Sequence, residues 1–229
     1  INLNLPAGSF VSLVGESGCG KSTIAGILAA KNRGYNGEII IGGVPLNEVN
    51  EINLMQRVVL VRHNSYLFKG TVEENLKMAK PDATKEEMEA VLQKVNLLGF
   101  LQTQDGLQTQ LLEKASNLSG GQCQRLVIAR ALLRTDSAVY IFDEAASNID
   151  VESEELIMNV IHELAKTKTV LLISHRLANV VKSDKIYFLK DGEIKESGKH
   201  DELMSQNGAY RHLYESQMAL ENYGKGGVA

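Results

Sequence analysis

The chain has 229 residues, of which 44% are hydrophobic and 23% are charged, a composition typical of an ordinary globular domain. Its formal net charge of −4 argues against nucleic acid as the main partner, because proteins that bind the phosphate backbone usually present a basic surface. Two cysteines, Cys19 and Cys123, are too few for a disulfide framework and favour a reducing compartment. The sequence contains no run of 18 apolar residues and therefore predicts no membrane-spanning helix of its own.

The first five residues, Ile1–Leu5, alternate apolar and polar side chains in the manner of a strand. They lack the charged start and the apolar block of a signal peptide. We therefore expect the chain to begin in the middle of a strand and to be a fragment of something longer.

Residues 15–23, which read GESGCGKST, are the most informative stretch of the chain. They fit the pattern G-x-x-x-x-G-K-[ST] of a nucleotide phosphate cradle at Gly15, Gly20, Lys21 and Ser22. Glycines let backbone N–H groups turn toward an anion, and the helix that follows offers the unpaired N–H groups of its first turn. Lys21 can reach the β- and γ-phosphates, and the Ser22 hydroxyl can hold Mg²⁺. The stretch predicts a nucleotide-binding loop between a strand and a helix.

Apolar, β-branched runs alternate with helical patterns through most of the chain. This alternation predicts an α/β fold, and strands that are apolar throughout are typical of a mostly parallel sheet buried on both faces. Asp191 and Gly192 predict a tight hairpin turn, and hence an antiparallel portion. Residues 64–118 lack convincing strands and predict an inserted helical subdomain. The predicted strands are Phe10–Val14, Glu38–Ile41, Arg57–Val61, Ala138–Phe142, Thr169–Ile173 and Lys185–Leu189.

Two further stretches have the periodicity of amphipathic helices. In residues 84–98, Thr84 and Glu87 predict a capping box at the start of the helix. Residues 151–165 predict the second helix. The last residues, 222–229, predict a frayed tail.

Residues 118–122, which read LSGGQ, predict another helix N-terminus that suits an anion. Ser119 is the expected N-cap, and Gln122 is the matching third-position residue of a capping box. Gly120 and Gly121 remove side chains from the tip of this helix, so its N–H donors stay exposed. Taken by itself, the same pattern also fits an ordinary helix start after a loop.

Asp143 and Glu144 follow the predicted strand 138–142. In open α/β sheets, ligands bind at the carboxyl ends of the strands, which is where this pair would lie. One carboxylate can hold Mg²⁺ and the other can orient a water molecule. An isolated Asp-Glu pair can also be a solvated strand end.

Taken together, these segments resemble the nucleotide-binding domain of ABC transporters. Two flanking segments, FKGTVEENL (68–76) and HDELMSQNGAYRHLYESQ (200–217), resemble the exporter-type branch of that family. Five motifs stand in the family order: the phosphate loop at 15–23, LSGGQ at 118–122, the carboxylate strand at 138–144, SNID at 147–150 and ISHR at 173–176.

The resemblance implies a P-loop NTPase fold with a catalytic core at 1–63 and 126–221. A helical subdomain at 64–125 would carry LSGGQ. It also implies an ATPase that uses ATP and Mg²⁺ to drive transport. The implied partners are a second ABC ATPase domain and a transmembrane domain on the same full-length polypeptide, without nucleic acid. The implied location is the cytoplasmic face of the cell membrane, within an integral membrane transporter.

The resemblance also assigns catalytic and metal-binding roles. Glu144 would be the general base for the attacking water, and His175 would contact the γ-phosphate and help to position that water. Lys21 would contact the phosphates. Ser22 and Asp143 would hold Mg²⁺, which suits a reaction whose catalysis is mostly positioning and charge stabilisation.

ATP would be held between two domains in this family. Asp150 would lie across the dimer seam, although it can also be a simple N-cap for the helix at 151–165. Cys19 fills a variable position of the phosphate loop. ATP would contact Gly15, Ser17, Gly18, Cys19, Gly20, Lys21, Ser22 and Thr23 of one domain and Ser119, Gly120, Gly121 and Gln122 of the other.

Two features depart from the family pattern. Exporters usually have a glutamine after the third strand, where this chain has His63. Because Mg²⁺ prefers oxygen ligands, an imidazole here argues against contact between this loop and the metal. No aromatic residue precedes Phe10, so the aromatic that stacks on adenine in the family is either absent or was removed with a missing segment, and we expect weak ATP affinity for this fragment.

Two other functions remain open. One is a soluble ABC ATPase of DNA repair or translation. The excess of acidic over basic residues and the exporter-like segments argue against this function. The other is a partner subunit that holds ATP while its dimer mate hydrolyses it. Glu144 and His175 argue against this second function, whereas His63 is compatible with it.

Overall fold

The computed structural model describes residues 1–32 and 34–226. The strands are β1 Phe10–Val14, β2 Ile40–Ile41, β3 Val44–Pro45, β4 Val58–Arg62, β5 Gly70–Thr71, β6 Gln110–Leu111, β7 Val139–Asp143, β8 Thr169–Ile173, β9 Lys185–Lys190 and β10 Glu193–Gly198. The helices are α1 Lys21–Leu28, α2 Glu51–Arg57, α3 Val72–Lys77, α4 Lys85–Lys94, α5 Leu98–Gln102, α6 Gly120–Leu132, α7 Val151–Ala165, α8 His200–Ser205 and α9 Ala209–Gly226. Short 3-10 helices occupy Gly106–Gln108, Glu113–Ala115 and Leu177–Val180.

Six strands form the main sheet in the order β10-β9-β1-β8-β7-β4. Five of them are parallel, and β10 pairs antiparallel with β9 across the turn at Asp191 and Gly192. The predicted mostly parallel α/β sheet with an antiparallel portion is therefore confirmed. Because parallel strands share their carboxyl ends, the segments that follow β1, β4, β7 and β8 emerge at one edge of the sheet.

The central strands of this sheet are covered on both faces, which explains why they are largely apolar. Along β8, Val170 and Leu172 belong to one hydrophobic cluster, whereas Leu171 and Ile173 belong to the cluster on the other face. Each of these side chains is at most 2% exposed. Burial of a side chain of this size contributes roughly 1.5–3 kcal/mol to stability, so the sheet holds the loops at its edge in fixed positions.

The segment between β4 and β7 is mainly helical, as predicted. The Thr84–Glu87 capping box is present at the start of α4, but the predicted helix at 84–98 is too long. It ends at Lys94 because Asn96 adopts a left-handed φ of 51°. Two very short strands, β5 and β6, pair antiparallel within this segment, and two residues are too few to produce an alternating pattern in the sequence.

The start of the chain does not have the predicted local structure. Ile1–Leu5 forms no strand. The alternating apolar and polar pattern of this segment instead reflects the packing of Leu3 and Leu5 against the core. Polar contacts hold this segment: the Asn4 N–H donates to Tyr187 Oη at 3.2 Å. At the other end, helix α9 extends to Gly226, so it includes residues 222–226 of the predicted tail, whereas residues 227–229 lie outside the described residues.

Helix α6 continues through residue 125, where the sequence places the boundary between helical subdomain and catalytic core. The division of the chain at residues 64 and 126 stays a prediction. None of the helices in the described part of the chain combines the length and the hydrophobicity that crossing a bilayer requires.

The half-buried His162 of α7 is expected to make folding pH-dependent. Its ring packs edge-on against Phe10 at 5.4 Å, and its Nε2 atom is buried without a hydrogen-bond partner among the described residues. Burial, followed by the nearby charge of Lys182, lowers the pKa of His162, so the unfolded chain binds this proton more readily than the folded chain does. The free energy of unfolding should therefore fall as the pH drops below the ordinary histidine pKa of about 6.5.

This prediction can be checked by urea denaturation at pH 7.5 and pH 5.5 of the original chain and of His162→Leu. The loss of stability at the lower pH should be smaller in the variant. An equal loss in both proteins would mean that His162 does not contribute to the acid sensitivity of the fold.

Candidate functional site

The loop after β1 is pressed against the sheet at Gly15. This residue has φ of 148°, and a Cβ atom placed on it would lie 2.0 Å from the backbone oxygen of Leu189. Gly18 and Gly20 also have positive φ angles, of 80° and 106°, but no backbone atom crowds either of them. Gly15 therefore serves close packing against β9, whereas the other two glycines serve the turn itself.

Lys21 lies at the centre of this loop. Its side chain is 5% exposed, and its ammonium donates to Gly15 O at 2.9 Å and to Glu16 O at 2.8 Å. Its Nζ atom also lies 3.7 Å from Cys19 Sγ. Gly20, the N-cap residue of α1, provides no side-chain cap, so no side chain occupies the N–H groups that begin this helix. An uncapped helix start beside a lysine ammonium is a cradle that fits phosphate groups.

The remaining loop residues are mostly open to solvent. Ser17, Gly18, Ser22 and Thr23 are exposed, and Cys19 is half-buried. These residues lie on the loop between β1 and α1 and in the first turn of α1, and their contacts with a nucleotide stay a prediction.

A hydrogen bond joins this loop to the carboxylate strand. The Ser22 hydroxyl donates to Asp143 Oδ1 at 2.9 Å, and Asp143 is 3% exposed at the end of β7. Because Mg²⁺ prefers carboxylate and hydroxyl oxygens, this pair has the right chemistry for the predicted metal. The other Asp143 oxygen, Oδ2, lies 3.5 Å from Arg62 Nε, a buried atom without a hydrogen-bond partner in the described part of the chain. Arg62 is a cation that sequence reasoning missed.

Glu144 and His175 contact each other directly at the same edge. His175 Nδ1 lies 2.9 Å from Glu144 Oε1. Glu144 adopts φ of 54°, a left-handed conformation that costs energy in any residue with a side chain. The Glu144 N–H donates to Ile173 O at 3.0 Å, and the Ser147 N–H and hydroxyl donate to Glu144 O at 3.0 Å and 2.8 Å. The surrounding backbone thus holds the carboxylate in a strained but defined position.

His63 follows β4, the strand next to β7. Its N–H donates to Asp143 O at 3.2 Å, and its side chain is exposed. The backbone of this residue therefore lies beside Asp143, and the effect of its side chain on the site stays a prediction.

The LSGGQ segment forms the predicted capping box. Ser119 Oγ accepts a bond from the Gln122 N–H at 3.2 Å, and Gln122 Oε1 accepts one from the Ser119 N–H at 2.9 Å. The two glycines differ from each other. Gly120 is exposed and a Cβ there would meet only Ile149, at 3.9 Å. Gly121 is buried, and a Cβ there would lie 2.2 Å from Ser153 Oγ, so only Gly120 is a bare tip.

Asp150 is the N-cap of α7, as predicted from its position. Its Oδ1 atom accepts a bond from the Ser153 N–H at 2.8 Å, and this hydrogen bond is the main reason that the pKa of Asp150 lies below its ordinary value. The carboxylate stays exposed beside Gly121, so α6 and α7 begin side by side.

The structure brings one group of predicted residues together at the sheet. The phosphate loop, Asp143, Glu144 and His175 share one edge of the sheet. Among the described residues, no hydrogen bond or ion pair joins the phosphate loop at 15–23 to the LSGGQ segment at 118–122. Fold and site together define a P-loop nucleotide-binding domain of the α/β class.

Comparison with known proteins places this domain in a family. The family model described as "ABC transporter" matches residues 1–147. The chain therefore belongs to the ABC transporter family and is one of its ATPase domains. Of curated relatives, an ABC transporter ATP-binding protein of Haemophilus influenzae is 48% identical over 221 residues, which cover 96% of this chain and 39% of the relative.

Two further proteins that this chain resembles are a flippase and an exporter. The ATP-dependent lipid A-core flippase of Escherichia coli K12 is 42% identical over 95% of this chain and 38% of the relative. A solved structure of a bacterial Atm1-family ABC exporter with ATP bound matches with a TM-score of 0.88 and 32% identity, over 94% of this chain and 38% of that chain. The chain thus spans about two fifths of the length of these proteins.

Proposed function

We propose that this chain binds and hydrolyses ATP with Mg²⁺ as the motor domain of a membrane ABC exporter. The proposal rests above all on the Ser22–Asp143 hydrogen bond at 2.9 Å, because this bond brings the phosphate cradle to the carboxylate strand. The motor would work at the cytoplasmic face of the cell membrane. A transmembrane domain of the full-length polypeptide would convert its movements into transport, without nucleic acid as a partner.

In this proposal the phosphates of ATP replace the backbone carbonyls of Gly15 and Glu16 as hydrogen-bond partners of the Lys21 ammonium. The ammonium and the uncapped start of α1 supply positive charge and N–H donors to the β- and γ-phosphates. The Ser22 hydroxyl and the Asp143 carboxylate would hold Mg²⁺. When bound there, the metal would neutralise charge that develops on the phosphate oxygens.

Glu144 is the proposed general base. Its carboxylate takes a proton from water as the water oxygen attacks the γ-phosphorus, and the bond to the β-phosphate oxygen breaks, releasing ADP and phosphate. The hydrogen bond from His175 at 2.9 Å orients the carboxylate, and the exposed imidazole is free to contact the γ-phosphate. The bonds that hold the Glu144 backbone supply the positioning on which this reaction depends.

A second copy, or a similar domain, would complete each ATP site. The exposed Gly120 tip and the N–H groups of α6 would bind the γ-phosphate held by the partner's loop, and Asp150 would lie at the seam between the copies. Within one chain, no hydrogen bond or ion pair among the described residues joins residues 15–23 to residues 118–122, which supports this arrangement. Two such sites related by a two-fold axis make a head-to-tail dimer.

A complementation experiment can test the shared site. Lys21→Ala should inactivate the loop, whereas Gly120→Asp should place a negative charge where the phosphate must approach. Gly120 tolerates a side chain, and an acidic residue at a helix start is favourable, so the second variant should fold normally. Each variant of the full-length protein alone should have little ATPase activity. A mixed dimer of the two, purified through two different tags, should regain one intact site and about half of the original activity.

The matched control is a mixed dimer in which one copy carries both substitutions and the other carries none. Each of its sites then has one defect, so its activity should stay near zero. Recovery in the control but not in the first mixture would show that loop and LSGGQ act within one chain, contrary to the proposal. Absence of hydrolysis in the unmodified dimer would favour the ATP-holding partner over the motor.

A further inference from the structure

The loop that carries His175 is held from outside the sheet by helix α9. The Gln217 side-chain amide bridges this loop: its Nε2 donates to His175 O at 2.5 Å, and its Oε1 accepts from the Leu177 N–H at 2.9 Å. The amide thus binds the carbonyl of the residue before Arg176 and the N–H of the residue after it.

Arg176 itself is held by two helices. Its guanidinium contacts Glu221 of α9 at 2.8 Å and also pairs with Glu154 of α7. Glu154 is 6% exposed and accepts a second bond from Asn179 Nδ2 at 2.8 Å. The loop is therefore fixed on one side by α9 and on the other by a buried carboxylate of α7.

These contacts matter because the His175 ring has little packing of its own. Its side chain is 48% exposed, and the Glu144 contact is its one hydrogen bond among the described residues. A ring in that situation takes its direction from its backbone. The backbone, in turn, is held at the carbonyl of His175 by Gln217.

We propose that Gln217 is a positioning residue for ATP hydrolysis, which directs His175 toward Glu144 by clamping the loop at residues 175–177. This inference rests on the proposed function, since it concerns the same reaction. Glu221 supports the clamp through Arg176. A purely structural role for α9 would leave catalysis unchanged in any variant that still folds, and this difference makes the inference testable.

The first variant is Gln217→Met, which keeps the length of the side chain and removes both hydrogen-bonding groups. In the full-length protein, kcat for ATP hydrolysis should fall roughly five- to twentyfold, because misplacement of a catalytic group lowers turnover. The KM for ATP should change less than about twofold, since the phosphate cradle is untouched. Glu215→Gln is the matched control: it breaks the exposed Arg211–Glu215 pair on the same helix without touching the loop, and it should leave kcat unchanged.

A double-mutant cycle then asks whether Gln217 acts through His175. In a His175→Ala background, Gln217→Met should cause no further fall in kcat, because the ring that the clamp directs is gone. The second readout is the Hε1 resonance of His175 by NMR in histidine-labelled protein. It should move in Gln217→Met and stay in place in Glu215→Gln.

Several results would overturn the inference. These are a kcat of Gln217→Met equal to that of the control, fully additive losses in the cycle, or an unmoved His175 resonance. If Gln217→Met fails to fold, Glu221→Gln provides the same comparison, with an expected loss of roughly three- to fivefold. An inactive original protein would instead contradict the proposed function, while the NMR readout would still decide whether Gln217 sets the position of the ring.

Discussion

Replacement of Glu144 with Gln should lower kcat for ATP hydrolysis by at least about a hundredfold, since general-base catalysis typically contributes 10²–10⁴-fold. The amide has nearly the same shape as the carboxylate, but it cannot take up the proton of the attacking water. ATP binding should persist, because Lys21 and the start of α1 are unchanged. The variant should therefore accumulate as an ATP-bound dimer, which light scattering after size-exclusion chromatography can detect.

Glu155→Gln is a suitable control, because it makes the same chemical change on the exposed surface of α7. Its turnover and its response to ATP should match those of the original protein. Normal turnover in Glu144→Gln would remove this residue from the role of base. A variant that lost both turnover and ATP binding would assign Glu144 to nucleotide binding instead.

Gly15→Ala should lower the free energy of unfolding by about 3 kcal/mol or more, for two independent reasons. The new Cβ would lie 2.0 Å from the Leu189 backbone oxygen, and backbone cannot move aside as a flexible side chain can. The φ of 148° is also unfavourable for any residue other than glycine. The variant should bind ATP poorly as well, because relief of the clash must move the phosphate loop away from β9. Urea denaturation and nucleotide titration measure the two effects.

Gly18→Ala separates these reasons. It lies in the same loop and has φ of 80°, but a Cβ there would meet nothing within 4 Å. Only the conformational cost should remain, which is roughly 1–2 kcal/mol. Equal losses in the two variants would mean that contact with β9 is not what restricts position 15.

The regular part of the fold could be predicted from sequence because strong local signals coincide with buried elements. β1, β8 and α7 have the predicted bounds, since largely apolar runs mark the two strands and Asp150 caps the helix. The signals failed where a single backbone angle decides the outcome. Asn96 ends α4 with a left-handed φ that the helical periodicity of its neighbours conceals.

The site was predictable to the extent that one rule applies, namely that ligand-binding residues follow parallel strands. That rule places Lys21, Asp143, Glu144 and His175 at one edge. It cannot reveal the contacts that depend on which distant segments become neighbours. Arg62 reaches Asp143 only because β4 pairs with β7.

The helix contacts show the same limit. Gln217 reaches the loop after β8 only because α9 returns to this edge. The sequence pattern predicts an open tip at Gly121, whereas in the structure its missing side chain makes room for Ser153. A glycine that admits a ligand and a glycine that admits a neighbouring helix are identical in a sequence.

The absent side chain at Gly121 has a mechanical consequence. Because Ser153 fills that space, the first turns of α6 and α7 are closely packed, and neither helix can rotate there without displacing the other. In a head-to-tail dimer, the N-terminus of α6 would bind the triphosphate of one ATP site. The Asp150 carboxylate at the start of α7 would face the dimer seam, toward the second ATP site. Binding of one nucleotide at the start of α6 would thus move α7 together with α6, as one rigid unit, and change the position of Asp150 near the second site.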